Sequence, residues 1–406
     1  MSYIETGSAE YKRASGALFI GAFVTFAILY TTQPLMPEFA AEFHVSAPLA
    51  SLTLSLSTGV MAVAMLGAAS LSDKVGKKNI MVFSMFSTSI LSILTAYSPN
   101  FFILLLLRAS LGIFIAGVPS IAMAYVAEEF NPNGIGKMMG LYISGTSIGG
   151  MAGRIITGVL TDAFSWRFAI LAIGIITLGL SVLFYISLPA PRRQANRPHL
   201  EKTGFHAYVD HVKNKPLLLL IMLPFLLMGS FVTLFNYIGF LLKEPPYHLS
   251  QTAIGFIFIL YLFGTFSSVY MGKKADLYGS SVVIKMSLTI MILGAIVTML
   301  PSLVGKVVGI AIFTFGFFAS HSVASSWMGE FALKNKAQAS SLYLFSYYIG
   351  SSIVGSVGGF FWQHHHWGGV IGFVSMLMLF AFSIVYLIER SHSSSAISQY
   401  QSKVNG

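Results

Sequence analysis

Three ionisable side chains stand inside long apolar runs of this 406-residue sequence: Arg108, Arg154 and His321. Arginine keeps its proton at ordinary pH, so its guanidinium can bind an anion or hold water but cannot carry a proton. Histidine titrates near neutral pH and can take up and release one. All fourteen carboxylates lie between the apolar runs or near their ends, with Glu38 and Asp162 the nearest. The residue types therefore predict charge binding and proton transfer within an apolar medium.

Several other kinds of site are not expected. The sequence has no cysteine, which excludes disulfides and thiolate metal sites. Three adjacent histidines at 364–366 cannot easily reach one tetrahedral ion, so a loop turn beside interfacial tryptophans is expected there instead of a metal site. Neither the nucleotide motif G-x-x-x-x-G-K-[ST] nor a helical H-E-x-x-H occurs. We therefore expect no cofactor, no ATP-driven step and no enzyme activity.

The composition predicts that membrane spans surround these residues. Only 9% of the residues are charged, against about 25% in soluble domains, and 55% are hydrophobic. Runs of about 20 apolar residues cross a bilayer as helices. We predict an all-α membrane protein with twelve transmembrane helices, the first run being a retained span and not a cleaved leader. The predicted spans are 15–37, 47–71, 79–98, 101–125, 138–161, 167–188, 216–241, 252–272, 282–300, 304–327, 338–361 and 368–388.

The basic residues predict the orientation of these spans in the cell membrane. With both termini in the cytoplasm, the cytoplasmic segments receive most lysines and arginines, whereas the outer loops receive only Arg167, Lys243 and Lys306. The same bias accounts for the net charge of +10 without a nucleic-acid partner. The predicted domains are a six-helix bundle at 1–188, a cytoplasmic linker at 189–215, a second six-helix bundle at 216–390 and a cytoplasmic tail at 391–406.

The two halves resemble each other at a shift of about 200 residues. The matched stretches are "FHVS" (43–46) with "YHLS" (247–250), "SDKVGKK" (72–78) with "ADLYGSS" (275–281), and "LYISGTSIGG" (141–150) with "LYLFSYYIGS" (342–351). Trp166 then falls on Trp367. Because the matches keep the same order, they indicate a duplicated six-helix unit. Parallel repeats of this kind build transporters with a site near the bilayer midplane.

The loop after the second span carries a family motif. Residues 69–78 read A-S-L-S-D-K-V-G-K-K and are similar to the G-x-L-A-D-R-x-G-R-K motif of the major facilitator superfamily. Arg108 followed by Gly112 resembles the R-x-x-x-G pattern of that family. The run "GGMAG" (149–153) stands where the drug:proton antiporter branch often has G-P-x-x-G-G. Over nearly its whole length, the chain resembles members of the major facilitator superfamily, and residues 29–46 resemble the span-one region of bacterial efflux permeases in the drug:proton antiporter branch.

The resemblance implies a gate and a coupling site. The gate is expected in the loop after span two and in its copy after span eight, and it would close the cytoplasmic side in one of two alternating states. Its candidate residues are Asp73, Gly76, Lys77, Lys78, Asp276 and Gly279. Arg108 would take part in proton coupling, or it packs against backbone carbonyls of span one or span eleven. His321 is either the titrating group or a histidine hydrogen-bonded within the bundle.

The same resemblance implies a cavity lined by spans one, four, seven and ten. Its candidate residues are Tyr30, Gln33, Asn236, Tyr237 and, from span eleven, Tyr347. The two amides are the stronger candidates, because an uncharged amide inside a span also needs a partner.

Span five combines four glycines with Arg154. The glycines recur at spacings that let another helix approach closely, either as a sliding interface or as tight packing. They are Gly145, Gly149, Gly150 and Gly153. Arg154 must be paired by backbone, amide or hydroxyl groups, by water, or by an anionic substrate. Gly355 takes the aligned position in the second half, so the charge breaks the repeat.

We therefore predict a secondary active transporter that acts as a monomer and exports a small organic molecule in exchange for protons. Its partners would be the substrate, protons and the lipid bilayer. A first alternative is proton-coupled uptake of a sugar or an organic anion, which two deep arginines without buried carboxylates would suit. A second is a nontransporting membrane receptor or scaffold on the same fold, which a large extramembrane domain would favour.

Overall fold

A computed structural model describes residues 3–191, 204–332 and 336–404, without the side chains of residues 69, 70, 73, 204–207, 336, 337 and 391–404. The described residues form α-helices joined by short turns. The helices are α1 (Ala9–Tyr30), α2 (Met36–Glu42), α3 (Ala47–Val75), α4 (Lys77–Ala96), α5 (Phe101–Ile115), α6 (Gly117–Glu129), α7 (Ile135–Ala163), α8 (Trp166–Ser187), α9 (Gly204–Lys213), α10 (Lys215–Lys243), α11 (Gln251–Phe256), α12 (Tyr261–Tyr278), α13 (Ser280–Val297), α14 (Leu303–Phe331) and α15 (Lys336–Val404). Residues 192–203 of the predicted linker lie outside the described part.

Helix lengths agree with the predicted spans. Ten helical stretches in the described residues are long and apolar enough to cross a membrane. One of them, within α15, contains two predicted spans, because the backbone leaves helical geometry at His365 and His366. α7 is not among the ten, since its glycines and Arg154 lower its hydropathy. With both spans of α15 counted and α7 added, the described residues contain the twelve predicted spans.

Span one ends earlier than predicted. α1 stops at Tyr30, and a turn over residues 31–35 leads into the short helix α2. Pro34 and Pro37 lie where the helix was expected to continue, and neither has the backbone N–H that an inner helical turn needs. The helix therefore ends at Tyr30, before the predicted limit of the span at residue 37. As a result, Gln33 lies in a turn, where its N–H donates to Tyr30 O at 3.1 Å.

The turns that match between the halves share their backbone conformations. His44 and His248 both have a left-handed φ, of 51° and 45°. Two residues later, Ser46 and Ser250 each accept a hydrogen bond from the first turn of the next helix. Gly76 and Gly279, which separate the next pair of helices, have φ values of 98° and 86°. Glycine tolerates this region because it lacks a Cβ.

The chain divides into two compact units. The N-terminal unit comprises Met1–His199 with Ile238–Ile259, and the C-terminal unit comprises Leu200–Tyr237 with Leu260–Gly406. In the N-terminal unit, one cluster of buried side chains joins the turn after α1 to the starts of α5 and α8, with Leu35, Leu104 and Trp166 among its members. In the C-terminal unit, aromatic rings of α10 and α14 stack on each other. The predicted boundary at the linker stays a prediction.

The N-terminal residues form a strap across the segment that links α6 to α7. Ile4 N donates to Glu129 O at 2.8 Å, and Asn131 N donates to Ile4 O at 3.2 Å. The side chain of Ile4 is buried, and Phe130 packs edge-on against Tyr11. This strap ties the start of the chain to the end of α6.

Candidate functional site

Arg154 lies at the centre of a buried cluster in the N-terminal unit. Its Nε donates to Gln33 Oε1 at 2.8 Å, and its terminal nitrogen NH1 donates to Gly150 O at 2.7 Å. The guanidinium carbon lies 3.9 Å from the ring centroid of Tyr30 and 4.5 Å from that of Phe258. Only 2% of the residue is exposed. An amide, a carbonyl and two aromatic rings therefore hold this charge.

The surrounding turns place these partners. Gln33 is brought inward because α1 ends at Tyr30, and Gln251 Nε2 holds the same turn by donating to Pro34 O at 3.2 Å. Phe258 lies in a short 3₁₀ segment between α11 and α12. A cation over an aromatic face gains about 0.5–2 kcal/mol, more when it is desolvated. Gln33, the Gly150 carbonyl and the two rings are neutral groups that solvate the guanidinium.

Arg108 is held in a different way. Its Nε donates to Thr53 O at 2.8 Å, and its two terminal nitrogens donate to Ile28 O at 3.3 Å and Leu29 O at 2.6 Å. The expected contact with backbone carbonyls of span one is therefore present, and the other carbonyl belongs to α3, not to span eleven. This side chain joins α5 to α1 and α3, and its role in coupling stays a prediction.

His321 lies in an aromatic cluster of the C-terminal unit. Its Nδ1 is 2.9 Å from the Tyr343 hydroxyl, which is also 3.2 Å from the backbone oxygen of His321. The ring stacks on Phe317 at 5.9 Å and lies 4.7 Å from the ring of Tyr347. The structure thus brings together His321, a coupling candidate, and Tyr347, a cavity candidate. Both protonation states of the imidazole have a partner in Tyr343.

Two of the five predicted cavity residues bind backbone on α15. Tyr237 donates from its hydroxyl to Gly355 O at 3.0 Å, and Asn236 Nδ2 lies 3.5 Å from the same oxygen. Both side chains are buried. Gly355 is the position aligned with Arg154, and a Cβ there would lie 2.9 Å from Val232. The C-terminal unit therefore has no room at this position for a long side chain.

Sequence reasoning missed two members of these clusters. Phe258 carries no polar group and lies 104 residues from Arg154, so no local signal marked it. Tyr343 precedes Tyr347 by one helical turn, and this i,i+4 spacing predicts that both face the same neighbour. The spacing could have added Tyr343 to the candidates beside His321.

The glycines of α7 lie against the backbone of α1. A Cβ on Gly149 would come 2.3 Å from Phe23 O, and one on Gly153 would come 2.6 Å from Ala27 O. Gly145 faces Phe19 O in the same way. Gly150 differs, because its nearest neighbour is the guanidinium of Arg154. Three of the four predicted packing glycines therefore give close approach, and the fourth makes room for the arginine.

The second half repeats this packing. A Cβ on Gly350 would lie 2.3 Å from Phe225 O, which matches the relation of Gly149 to Phe23. One helical turn further along, the glycine lies on the other helix of the pair. In the first half Gly153 of α7 packs against Ala27 of α1, whereas in the second half Gly229 of α10 packs against Val354 of α15. Both halves thus keep the two helices close at this level.

The predicted gate residues lie at helix ends. Lys77 forms an ion pair of 2.7 Å with Glu128, and Lys78 Nζ donates to Leu188 O at 2.5 Å. The side chain of Asp73 lies outside the described residues. In the C-terminal unit a cavity of about 370 Å³ lies beside the copied loop. Its lining includes Asp276, Gly279, Ser280, Ser322, Ser326 and Glu330.

Comparison with known proteins gives one family and several close relatives. The family model described as "Major Facilitator Superfamily" matches residues 18–355. The "Uncharacterized MFS-type transporter YybF" of Bacillus subtilis (strain 168) is 47% identical over 392 residues, which cover 96% of this chain and 97% of that protein. The "Inner membrane transport protein YnfM" of Escherichia coli (strain K12) is 42% identical over 379 residues, covering 93% and 91%.

Solved structures of low sequence identity show the same fold. A bacterial homologue of the human lysosomal transporter Spinster, in an inward-facing and occupied conformation, superposes with a TM-score of 0.79 at 14% identity, covering 95% of this chain and 98% of that one. The nucleoside transporter NupG gives a TM-score of 0.75 at 15% identity, covering 93% and 99%. These likenesses confirm the predicted fold class.

Proposed function

Because the chain belongs to the Major Facilitator Superfamily and is therefore a multi-pass membrane transporter, we propose that it couples export of a small organic molecule to proton entry across the cell membrane. The observation that carries the proton coupling is the pairing of His321 with Tyr343. Export follows from the resemblance of the span-five motif to the drug:proton antiporter branch.

His321 suits proton coupling better than either buried arginine. A coupled proton needs a group that can release it and bind it again, which an imidazole can do and a guanidinium cannot. Arg108 donates hydrogen bonds to backbone carbonyls, among them that of Thr53. Arg154 donates to the side-chain amide of Gln33 and to the backbone carbonyl of Gly150. Both arginines therefore serve better as fixed positive charges.

The geometry at Tyr343 lets the imidazole change protonation without losing its partner. When Nδ1 carries a proton, it donates to the hydroxyl oxygen, and the hydroxyl donates to His321 O at 3.2 Å. When Nδ1 is bare, the hydroxyl rotates and donates to it. The rings of Phe317 and Tyr347 cover the imidazole and give the same place an apolar surface for an organic substrate.

A second candidate function is proton-coupled uptake of an organic anion. Arg154 favours it, because a buried guanidinium keeps its proton at ordinary pH and lies beside the polar side chain of Gln33 and the rings of Tyr30 and Phe258. A guanidinium is a preferred binding group for carboxylate and phosphate. In both functions the two loops with Gly76 and Gly279 act as gates, and both termini lie in the cytoplasm.

A ligand screen followed by flux measurements tests the proposal. Purified protein is first screened for thermal stabilisation by cationic drugs, sugars and organic anions. The stabilising compound is then followed in proteoliposomes with an imposed pH gradient. We expect His321→Gln to abolish transport driven by the gradient while keeping substrate exchange without one, and Tyr343→Phe to slow the driven flux.

His364→Gln is the matched control, since His364 is exposed and lies near the break in α15. It should behave as the wild-type protein. Unchanged dependence of the His321→Gln flux on the pH gradient would show that the coupled proton lies elsewhere. Accumulation toward the cytoplasmic side, measured on reconstituted protein of known orientation, would favour uptake over export.

A further inference from the structure

Two cations from different helices meet at the carboxyl end of α8. The terminal nitrogen NH2 of Arg13, at the start of α1, donates to Ile186 O at 3.0 Å. Lys78, at the start of α4, donates from Nζ to Leu188 O at 2.5 Å. α1, α4 and α8 pack on one another within the N-terminal unit. The two charges therefore share one helix end.

The carbonyls at this end do not balance two full positive charges. The last turn of a helix carries about half a negative charge. The acceptors of the two cations, Ile186 O and Leu188 O, lie two residues apart at the end of α8, so the two like charges repel each other there. The ion pairs described in this unit join Lys77 to Glu128, Arg167 to Glu42 and Lys243 to Glu38, and they include neither cation. A negative group between Arg13 and Lys78 would relieve this repulsion.

An exposed apolar surface continues from the two cations along α8. Val182 is 43% exposed, Tyr185 55% and Ile186 61%. Lys78 lies over the ring of Tyr185, with Nζ 5.2 Å from its centroid. In a predicted span these side chains face lipid acyl chains, and the cations lie at the end that the basic residues assign to the cytoplasm.

We propose that Arg13 and Lys78 bind the phosphate of an anionic phospholipid whose acyl chains lie along Val182, Tyr185 and Ile186. Arginine has five N–H donors and lysine three, and each bond described above uses one of them. The remaining donors can serve the phosphate oxygens while the bonds to α8 persist. A membrane lipid is the occupant because the charged and apolar surfaces are continuous. Basic sites between spans on the cytoplasmic side commonly bind such head groups.

Thermal unfolding of the full-length protein in detergent tests the site. Phosphatidylglycerol, phosphatidylcholine and inorganic phosphate are added separately to wild-type protein and to the double variant Arg13→Gln/Lys78→Gln. We expect phosphatidylglycerol to raise the wild-type melting temperature by roughly 2–4 °C and the double variant to lose that rise. Phosphatidylcholine and inorganic phosphate should give much smaller rises.

Lys12→Gln/Lys137→Gln is the matched control, because it removes two exposed lysines of the same unit that do not bind α8. It should keep the wild-type response. Because the double variant could lose stability at the α8 end, Arg13→Lys/Lys78→Arg is measured beside it and should keep most of the rise. An equal response of the double variant to phosphatidylglycerol would overturn the proposal. A rise with inorganic phosphate as large as that with lipid would overturn the assignment to a lipid.

Discussion

Arg154 and Gln33 are joined by a hydrogen bond of 2.8 Å between Nε and Oε1, across 121 residues of sequence. The bond links α7 to the turn that follows α1, so it keeps that turn in contact with the guanidinium of Arg154. We expect Gln33→Leu to remove the Oε1 acceptor of Arg154 Nε and to destabilise the protein by about 1–3 kcal/mol. Gln33→Glu should keep the bond and add an ion pair.

Melting temperatures of the two variants, measured with Arg154→Gln and with the double variants, give the coupling energy between the residues. Gln33→Leu should cost little once Arg154 is already replaced. Equal losses from Gln33→Leu in the presence and absence of Arg154 would contradict the pairing.

The sequence indicated which residues belong to the Arg154 cluster better than it indicated which of them contact one another. Arg154 was marked by its charge within an apolar run, whereas Tyr30 and Gln33 were marked because the family resemblance implies that span one lines the cavity. Their meeting depends on the turn after Tyr30, where the helix ends seven residues before the predicted end at 37. The contact with Phe258 depends on tertiary packing, for which a phenylalanine in an apolar run gives no local signal.

The fold was easier to predict from the sequence than the site was, because the hydropathy of the sequence indicates the membrane-spanning helices directly. Repeated motifs predicted the turns at Gly76 and Gly279, which share a left-handed backbone. Asn236 and Tyr237 show why the roles of side chains were harder to predict from the sequence. Both are polar groups in a span, as a substrate-binding residue would be, yet both lie beside the carbonyl of Gly355. Residue type alone does not distinguish these two uses.

The close contact of α7 with α1 predicts a sharp difference between two glycines of the same helix. Gly149→Ala would place a Cβ 2.3 Å from Phe23 O, whereas nothing lies within 4 Å of a Cβ at Gly140. We expect Gly149→Ala to cost about 1–3 kcal/mol or more, because backbone must move. Gly140→Ala should be neutral or stabilise by up to about 1 kcal/mol through helix propensity.

Gly350→Ala should resemble Gly149→Ala, because it meets Phe225 O at the same 2.3 Å. Melting temperatures and the monodisperse fraction after detergent extraction measure all three variants. If Gly149→Ala and Gly140→Ala were equally stable, the close approach would not exist in the membrane.

Asp162 binds the amino end of α11 and predicts a pH dependence. Its Oδ1 accepts from Gln251 N at 3.0 Å and its Oδ2 from Thr252 N at 2.6 Å. Partial burial raises the pKa of this carboxyl, but hydrogen bonds from Thr252, Ser250 and Gln251 outweigh it and lower the pKa below the usual value. Its stabilising effect is therefore complete above the unfolded pKa of about 3.9 and is lost as pH falls through the folded pKa.

We expect Asp162→Asn to lower the melting temperature at pH 7, and the gap from wild type to narrow as the pH falls below about 4. Asp210→Asn, on the exposed surface of α9, controls for the loss of one negative charge. If the difference in melting temperature between Asp162→Asn and wild type stayed constant down to pH 3, the stabilising effect of Asp162 would not come from its charge.

The gate proposal predicts a loss of transport without a loss of folding. Asp73→Asn should reduce flux in proteoliposomes by at least tenfold while leaving expression and melting temperature close to wild type. Lys74→Gln, on the exposed neighbouring residue, should transport normally. Wild-type flux in Asp73→Asn would rule out a gating role for this carboxylate.

The strap formed by the N-terminal residues predicts that the start of the chain stabilises the N-terminal unit. Ile4 is 2% exposed and exchanges backbone hydrogen bonds with the segment that joins α6 to α7. Fully burying a side chain of this size gains about 1.5–3 kcal/mol, so Ile4→Asp should lose at least that much and release the strap. Ile4→Val keeps an apolar side chain and should cost about 0.5–1.5 kcal/mol. Hydrogen exchange at residues 129–134 distinguishes the two variants: it should accelerate in Ile4→Asp and stay slow in Ile4→Val, and equal exchange in both would mean that the strap does not hold this segment.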